Sequence, residues 1–314
     1  MQWVRMSIRP QVRPSRCAAF LFAAFCLTGC SIRQTAVNQM ADALAKSGDT
    51  FARDDDPELI KAAAPFSLKL MESLLADVPE HEGLLSATAG GFTQYAFAFV
   101  QQEADELEDT DLAAAQAMRL RAKHLYLRAR DYGLRGLDVR HHGFGAALNQ
   151  DPARAVAQAT KEDVPFLYWT AAAWSAAISL AKDDPALIGD LPKTEALIDR
   201  AAALDEAWDA GTLHTFLISY EMARNGGAGD PAERSRRHFE RAVTLSGGQM
   251  AAPYVSYAEA VPLQRQQPAE FRRLLEQARA IDPDAQPSTR LANLVAQRRA
   301  RWLLGRMDEL FLNP

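Results

Sequence analysis

Apolar residues fall into three regimes along the chain. Residues 17–27 are almost wholly apolar, residues 31–56 are polar and carry the acidic run Asp54, Asp55 and Asp56, and from Pro57 onward apolar positions recur at helical spacing. The first run is too short to cross a bilayer, which takes about 20 consecutive apolar residues. In the polar stretch only residues 37–45 have the pattern of a short helix, so residues 30–56 read as a tether and residues 57–314 as the folded body. A helix begins at Pro57, a position where the missing N–H costs nothing. Its stripe is predicted at Leu59, Ala63, Phe66, Leu70 and Leu74, with Val78 and Pro79 ending it. Residues 90–100 alternate at Tyr95, Phe97 and Phe99 as a strand would. The flanks on both sides are helical in composition, and they decide for a helix that is apolar on several faces. The diglycine Gly90-Gly91 within it lets a neighbour approach closely.

Four helix ends share a large residue followed three positions later by alanine: Tyr126 and Ala129, Ile198 and Ala201, Phe239 and Ala242, Leu275 and Ala278. The alanines are 72, 41 and 36 residues apart. These separations fit about two, one and one units of a 34-residue helical hairpin. The pattern is similar to the tetratricopeptide repeat, though the tryptophan and glycine of that motif's first helix are absent and residues 141–164 form a long insertion. The expected fold is therefore all-α, a tetratricopeptide-like solenoid of about four degenerate hairpins closed by a capping helix over residues 287–310. Alanine runs such as Ala113 to Ala115 and Ala171 to Ala173, with few β-branched clusters, agree with that class.

Arg5, Arg9, Arg13 and Arg16 precede the short apolar run, the build of a secretory signal. The run ends in Leu27-Thr28-Gly29-Cys30, which resembles a bacterial lipobox. That resemblance makes residues 1–29 a cleaved signal peptide and Cys30 the lipidated first residue, holding the protein to a membrane from the periplasm. Ser31, rather than Asp, after the cysteine is similar to sorted lipoproteins and by that resemblance implies the outer membrane. The other two cysteines, Cys17 and Cys26, both lie in the removed segment. The mature body thus has no thiol chemistry and no cysteine-built zinc site. Removing the four signal arginines takes the formal net charge from -5 to -9, an unfavourable balance for nucleic acid.

Catalytic patterns are missing from the sequence: there is no G-x-S-x-G elbow, Walker loop, G-x-G-x-x-G or HExxH. His141 and His142 are adjacent and diverge on a helix, so no metal site, cofactor or catalytic residue is expected. Binding has better candidates. Aromatics at Tyr95, Phe99, Tyr168, Trp169, Trp174 and Tyr220 are the candidate ligand contacts, with the proviso that Tyr168 and Trp169 point about 100° apart. Arg121, Arg128 and Arg135 recur every seven residues along one helix face and are the candidate grip on a partner's carboxylates. The competing reading pairs them internally with the acidic run over residues 103–111. Arg298, Arg299 and Arg301, close together beside Trp302, cannot share one face, so at least one is expected to pair internally.

Three stretches, residues 121–137, Tyr168-Trp169-Thr170-Ala171-Ala172-Ala173-Trp174 and residues 290–304, resemble in wording and order the T-component lipoproteins of tripartite ATP-independent periplasmic (TRAP) transporters. The likeness runs from about Leu59 to Phe311. It implies a helical lipoprotein that associates with the transporter's periplasmic solute-binding protein and holds a small, partly apolar organic ligand; self-association is a further expectation. The rival reading from the residues is a structural adaptor in outer-membrane or cell-envelope assembly, and the weakest is an envelope hydrolase.

Overall fold

The computed structural model describes residues 35–224 and 226–312, and Cys30 lies outside them. Every regular element among these residues is helical. Residues 35–45 form α1, followed by α2 (Gly48–Ala52), α3 (Pro57–Asp77) and α4 (Glu82–Ala96). A π-helical turn, Phe97–Gln101, joins α4 to α5 (Gln102–Leu107), and α6 (Leu112–Arg140) is the longest element. Then come α7 (Phe144–Gln150), α8 (Pro152–Ala157), α9 (Val164–Ser179), α10 (Pro185–Ile188), α11 (Leu191–Leu204) and α12 (Thr212–Ala223). The chain closes with α13 (Pro231–Leu245), α14 (Ala252–Ala260), α15 (Pro268–Ala280), α16 (Arg290–Gly305) and α17 (Met307–Leu310).

Four of these helices start at an Asp-Pro pair. Asp56, Asp151, Asp184 and Asp230 each accept hydrogen bonds from backbone N–H groups of the first turn, while the following proline gives up only an N–H that would be unpaired there. The strand-like alternation over residues 90–100 is overridden as expected, and the helix runs through it into the π turn. The diglycine serves two neighbours. A Cβ on Gly90 would lie 2.9 Å from Trp169, and one on Gly91 would lie 2.8 Å from Leu68.

The stripe of α3 is displaced from its expected place. Leu59 and Phe66 are 56% and 75% exposed, while Ile60, Ala64, Leu68, Met71 and Leu75 face the core. One residue's step turns a helix by 100°, and α3 is apolar on both faces, so spacing alone does not choose between them. Leu74 belongs to the buried set in either register. Residues 35–52, expected within the tether, carry α1 and α2 against the body. Ala41 is fully buried, Val37, Leu44 and Phe51 pack on the core, and Asp42 meets His81 at 3.1 Å. The insertion over residues 141–164 holds α7, α8 and a 3-10 turn, Lys161–Asp163. The capping helix is broken: a 3-10 turn, Pro287–Thr289, leads into α16, and Arg306 separates α16 from α17.

Two hydrophobic clusters share α12. Its Leu213, Leu217 and Tyr220 belong to the first, with residues of α1 to α4 and α6 to α11, and its Ile218 to the second, with α13 to α17. The four alanines of the large-residue/alanine pattern, Ala129, Ala201, Ala242 and Ala278, have no exposed surface. Gly133 and Gly136 let α6 cross closely over α9. A Cβ there would lie 2.1 Å from Thr170 Oγ1 or 2.0 Å from Phe166 Cε1.

From the far end of the chain, α16 returns to α2 and α3. Arg298 bonds Glu106 through Nε and Nη2 at 3.1 and 2.6 Å, Arg299 bonds Asp105 and Glu259, and Arg306 meets Asp109 at 2.6 Å. Ion pairs thereby join the two ends, with Leu291 of α16 packed against the first cluster beside them.

Candidate interaction and ligand surfaces

The arginine ladder is set by α6. Seven residues are just short of two helical turns, so Arg121, Arg128 and Arg135 lie on one face, which looks onto α3 and α4. Arg121 Nη2 donates to the Tyr95 hydroxyl at 3.3 Å and stands 5.8 Å from its ring centre. Arg128 lies 5.4 Å over the Phe92 ring, with Nε 3.7 Å from Glu72. Arg135 donates to the Leu75 carbonyl at 3.4 Å. Two of the three guanidiniums thus face a phenol and a carbonyl rather than a carboxylate. Arg121 and Arg128 are exposed and Arg135 half-buried.

The acidic run once set against this ladder is engaged elsewhere. Glu103 pairs with Lys61 at 2.6 Å, Asp105 with Arg119 and Arg299, Glu106 with Arg298, Glu108 with Arg119, and Asp109 with Arg306. Hydrogen bonding to Arg119 holds the Glu108 carboxyl below the usual range. The final-helix arginines pair across the molecule as well as with α14, and Arg299 and Arg306 stand 4.4 and 4.7 Å over the Trp302 ring.

The six aromatic candidates divide into three groups. Tyr95 and Phe99 form a buried pair, ring centres 5.9 Å apart, at the π turn. Tyr168, Trp169 and Tyr220 join a cluster with Trp208 and Phe216: Tyr168 lies 4.8 Å from Trp169, 5.1 Å from Trp208 and 6.3 Å from Phe216, and Phe216 lies 5.3 Å from Tyr220. The 100° divergence of Tyr168 and Trp169 is bridged by the length of their side chains, both of which lean on Trp208. Trp174 stands apart, between Arg130 and Lys193.

Phe216 belongs with the aromatics legible in sequence, but Trp208 gave no signal there, because the corner that aims it is unusual. Asp209, Ala210 and Gly211 follow it with φ of 48°, 53° and 86°, and two of these are residues that pay for the left-handed region. Backbone strain of this kind persists only where the surroundings enforce it. Tyr220, pushed up to about 12 by burial, keeps its proton, and its hydroxyl lies 3.3 Å from Thr194 Oγ1. Beyond it opens a cavity of about 330 Å³ that Ile188, Leu191, Pro192, Glu195 and Arg224 also line. That size is at the lower end for small-molecule sites.

Histidines meet where no local spacing announces them. His214 and His238, 24 residues apart, have their Nδ1 atoms 2.8 Å apart, and Glu206 takes the other side of His214 at 3.2 Å. At most one proton fits between two such atoms. Burial, and then the neighbouring His214, bring His238 down to about 4. His141 instead joins Arg140 on the fully buried Asp163. Burial pushes that carboxyl up, but the Thr160 N–H at 2.7 Å, His141 and Arg140 outweigh it and hold Asp163 below its ordinary value. Among the described residues no group of three or more His, Cys, Asp or Glu is placed to hold a metal ion.

Comparison with known proteins supplies the remaining observation. A family model described as the TRAP transporter T-component matches residues 53–311. The chain is also similar to an uncharacterized protein of Treponema pallidum (strain Nichols), 28% identical over 322 residues, which span 97% of this chain and 99% of that protein.

Proposed function

The chain belongs to the TRAP transporter T-component family, and on that footing we propose that it is a periplasmic lipoprotein that docks the solute-binding protein of a TRAP transport system and holds a small, partly apolar organic ligand. Its helices form a tetratricopeptide-like array of about four hairpins with α16 as the cap, a reading supported by the burial of all four alanines of the repeated pattern. The observation that carries docking is the arginine ladder. Arg121 and Arg135 bond only neutral oxygens, while the nearby acidic run is engaged by other cations. Guanidiniums on a rigid helix, on a body of net charge -9 once the signal is removed, offer a localised positive strip to a partner's carboxylates.

The test is affinity capture by the intact lipoprotein, in mild detergent, from a periplasmic extract of its own host. A solute-binding protein is expected in the mass spectrum, and Arg121→Glu with Arg135→Glu should cut its recovery more than tenfold, as charge reversal sets like charges against each other. Arg128 is left unchanged so that its contact with Glu72 survives. Recovery of envelope-assembly proteins alone would replace docking with the adaptor reading.

The anchor has its own check. Cys30→Ser removes the thiol that would be acylated, and in detergent-free fractionation the protein is expected to leave the processed membrane-bound form, either released or held uncleaved. Unchanged processing and membrane retention would refute lipidation. Acyl chains contribute roughly 0.8 kcal/mol per buried methylene, so their loss has no local substitute.

A further inference from the structure

Trp174, which stands apart from the other aromatics, marks a second cavity. It measures about 300 Å³ and lies between α6, α7, α9 and the start of α11. Its polar lining comes from Arg130, Asp138, Asn149, Asp190 and Lys193, and its apolar wall from Leu134, Leu148 and Trp174. Trp174 is 96% removed from solvent (4% exposed), yet its Nε1–H has no hydrogen-bond partner in the protein. An indole nitrogen is a donor only, so what it lacks is an acceptor.

Cations flank the same ring. Arg130 lies 5.0 Å and Lys193 5.5 Å from its centre. Neither is used up: Arg130 spends Nε and Nη2 on Asp131 and keeps Nη1, and Lys193 spends one of three ammonium protons on Asp190 at 2.6 Å. On the acidic side, Asp138 accepts the Gly145 N–H through Oδ1 at 3.0 Å and keeps Oδ2. The Oδ2 atom is close enough to the Gly145 backbone that a Cβ there would lie 3.2 Å from it, so the glycine leaves that oxygen uncovered.

From this lining we propose that the cavity is a binding site for a small zwitterion of the α-amino-acid class, its carboxylate received by Lys193 and Arg130 against the Trp174 ring and its ammonium by Asp138. Two cations and two carboxylates make the lining neutral overall, which disfavours a free dianion and suits a ligand that carries both charges. Leu134 and Leu148 leave an apolar wall for a short side chain. The site deepens the ligand-holding part of the reading above and rests on it, while it differs in place and chemistry from the Tyr220 cavity.

The test follows the indole N–H resonance of Trp174 in the full chain, labelled with ¹⁵N in its tryptophans and assigned by its loss in Trp174→Phe. The twenty L-amino acids are added singly, with succinate and inorganic phosphate as anion probes. At least one amino acid should shift the resonance saturably, and Asp138→Asn and Lys193→Met should each weaken that binding at least tenfold. No shift with any amino acid, or a shift with succinate or phosphate alone, overturns the proposal. Capture of a solute-binding protein reads docking separately: a chain that binds an amino acid but captures no protein refutes docking alone, and the converse refutes this site alone.

Discussion

Replacing Gly136 with valine is expected to destabilise the protein by about 3 kcal/mol or more, the upper end of what overpacking costs. At roughly 2–4 °C per kcal/mol for a domain of this order, the melting temperature should fall by about 6 °C or more. The reason is local. A Cβ at this position would lie 2.0 Å from Phe166 Cε1 and 2.5 Å from Cδ1, well inside van der Waals contact, and Phe166 is 4% exposed with nowhere to swing. Gly133, one turn earlier, meets Thr170 Oγ1 at 2.1 Å in the same way, so α6 and α9 approach along two adjacent turns. Relief requires the helices to part, and their separation would reach Leu137, Leu167 and Ala171, all without exposed surface. Gly305→Ala is the control. Nothing lies within 4 Å of its Cβ, and alanine is the better helix former, so stability should hold or rise slightly. Equal melting of wild type and Gly136→Val would mean that α6 and α9 do not cross here.

How much of this could be read from the chain alone depends on the distance over which each feature is written. Helix starts are local: Asp-Pro at 56–57, 151–152, 184–185 and 230–231 names its own cap, and the all-helical character follows. The face of α3 is less local. Leu59 and Phe66 keep helical spacing as well as Ile60, Ala64 and Leu68 do, and only the neighbours, α4 among them, decide which set is buried. The docking of residues 35–52 was hidden because a short polar helix with Val37, Ala41 and Leu44 on one side reads as linker until a surface is present to receive it. Least legible were pairs with no common segment. Glu106 and Arg298 are 192 positions apart, and His214 and His238 are 24 apart, so neither has a periodic signature. The ladder at Arg121, Arg128 and Arg135 was visible as a period of seven, yet the freedom of Arg121 and Arg135 from carboxylates depended on where residues 103–109 found their cations, which are spread over α3, α6 and the C-terminal helices. The aromatics were visible as a list and not as three places, because Trp208 enters through a left-handed corner that sequence gave no reason to expect.

The largest electrostatic effect is expected at Arg299. It is 14% exposed, donates Nε and Nη2 to Glu259 at 3.1 and 2.7 Å and Nη1 to Asp105 at 3.1 Å, and lies 4.4 Å over the Trp302 ring. Burial alone would lower its proton affinity, but the two carboxylates outweigh that and raise it, so the charge is held at any working pH. Arg299→Met keeps much of the volume while stranding Glu259 and leaving Asp105 to Arg119 alone. Breaking one partner out of such a pair costs about 3–5 kcal/mol in a fully buried setting; with Glu259 29% and Asp105 24% exposed, about 3 kcal/mol is expected here. Arg299→Lys should recover only part of this, since an ammonium cannot span both acids as the planar fork does. Arg299→Met combined with Glu259→Gln separates the causes: if the cost lies in the stranded charge, the double variant regains stability over the single one, whereas loss of packing on Trp302 would leave both equally weak. A single variant within 0.5 kcal/mol of wild type would refute the seam's role. Loss at this position also carries a directional consequence. Arg298 and Arg299 of α16 and Arg306 just after it tie the C-terminal helices to residues 105–109, so limited proteolysis of Arg299→Met should open first at those helices, while the core around α6 and α9, held by apolar contact, stays closed.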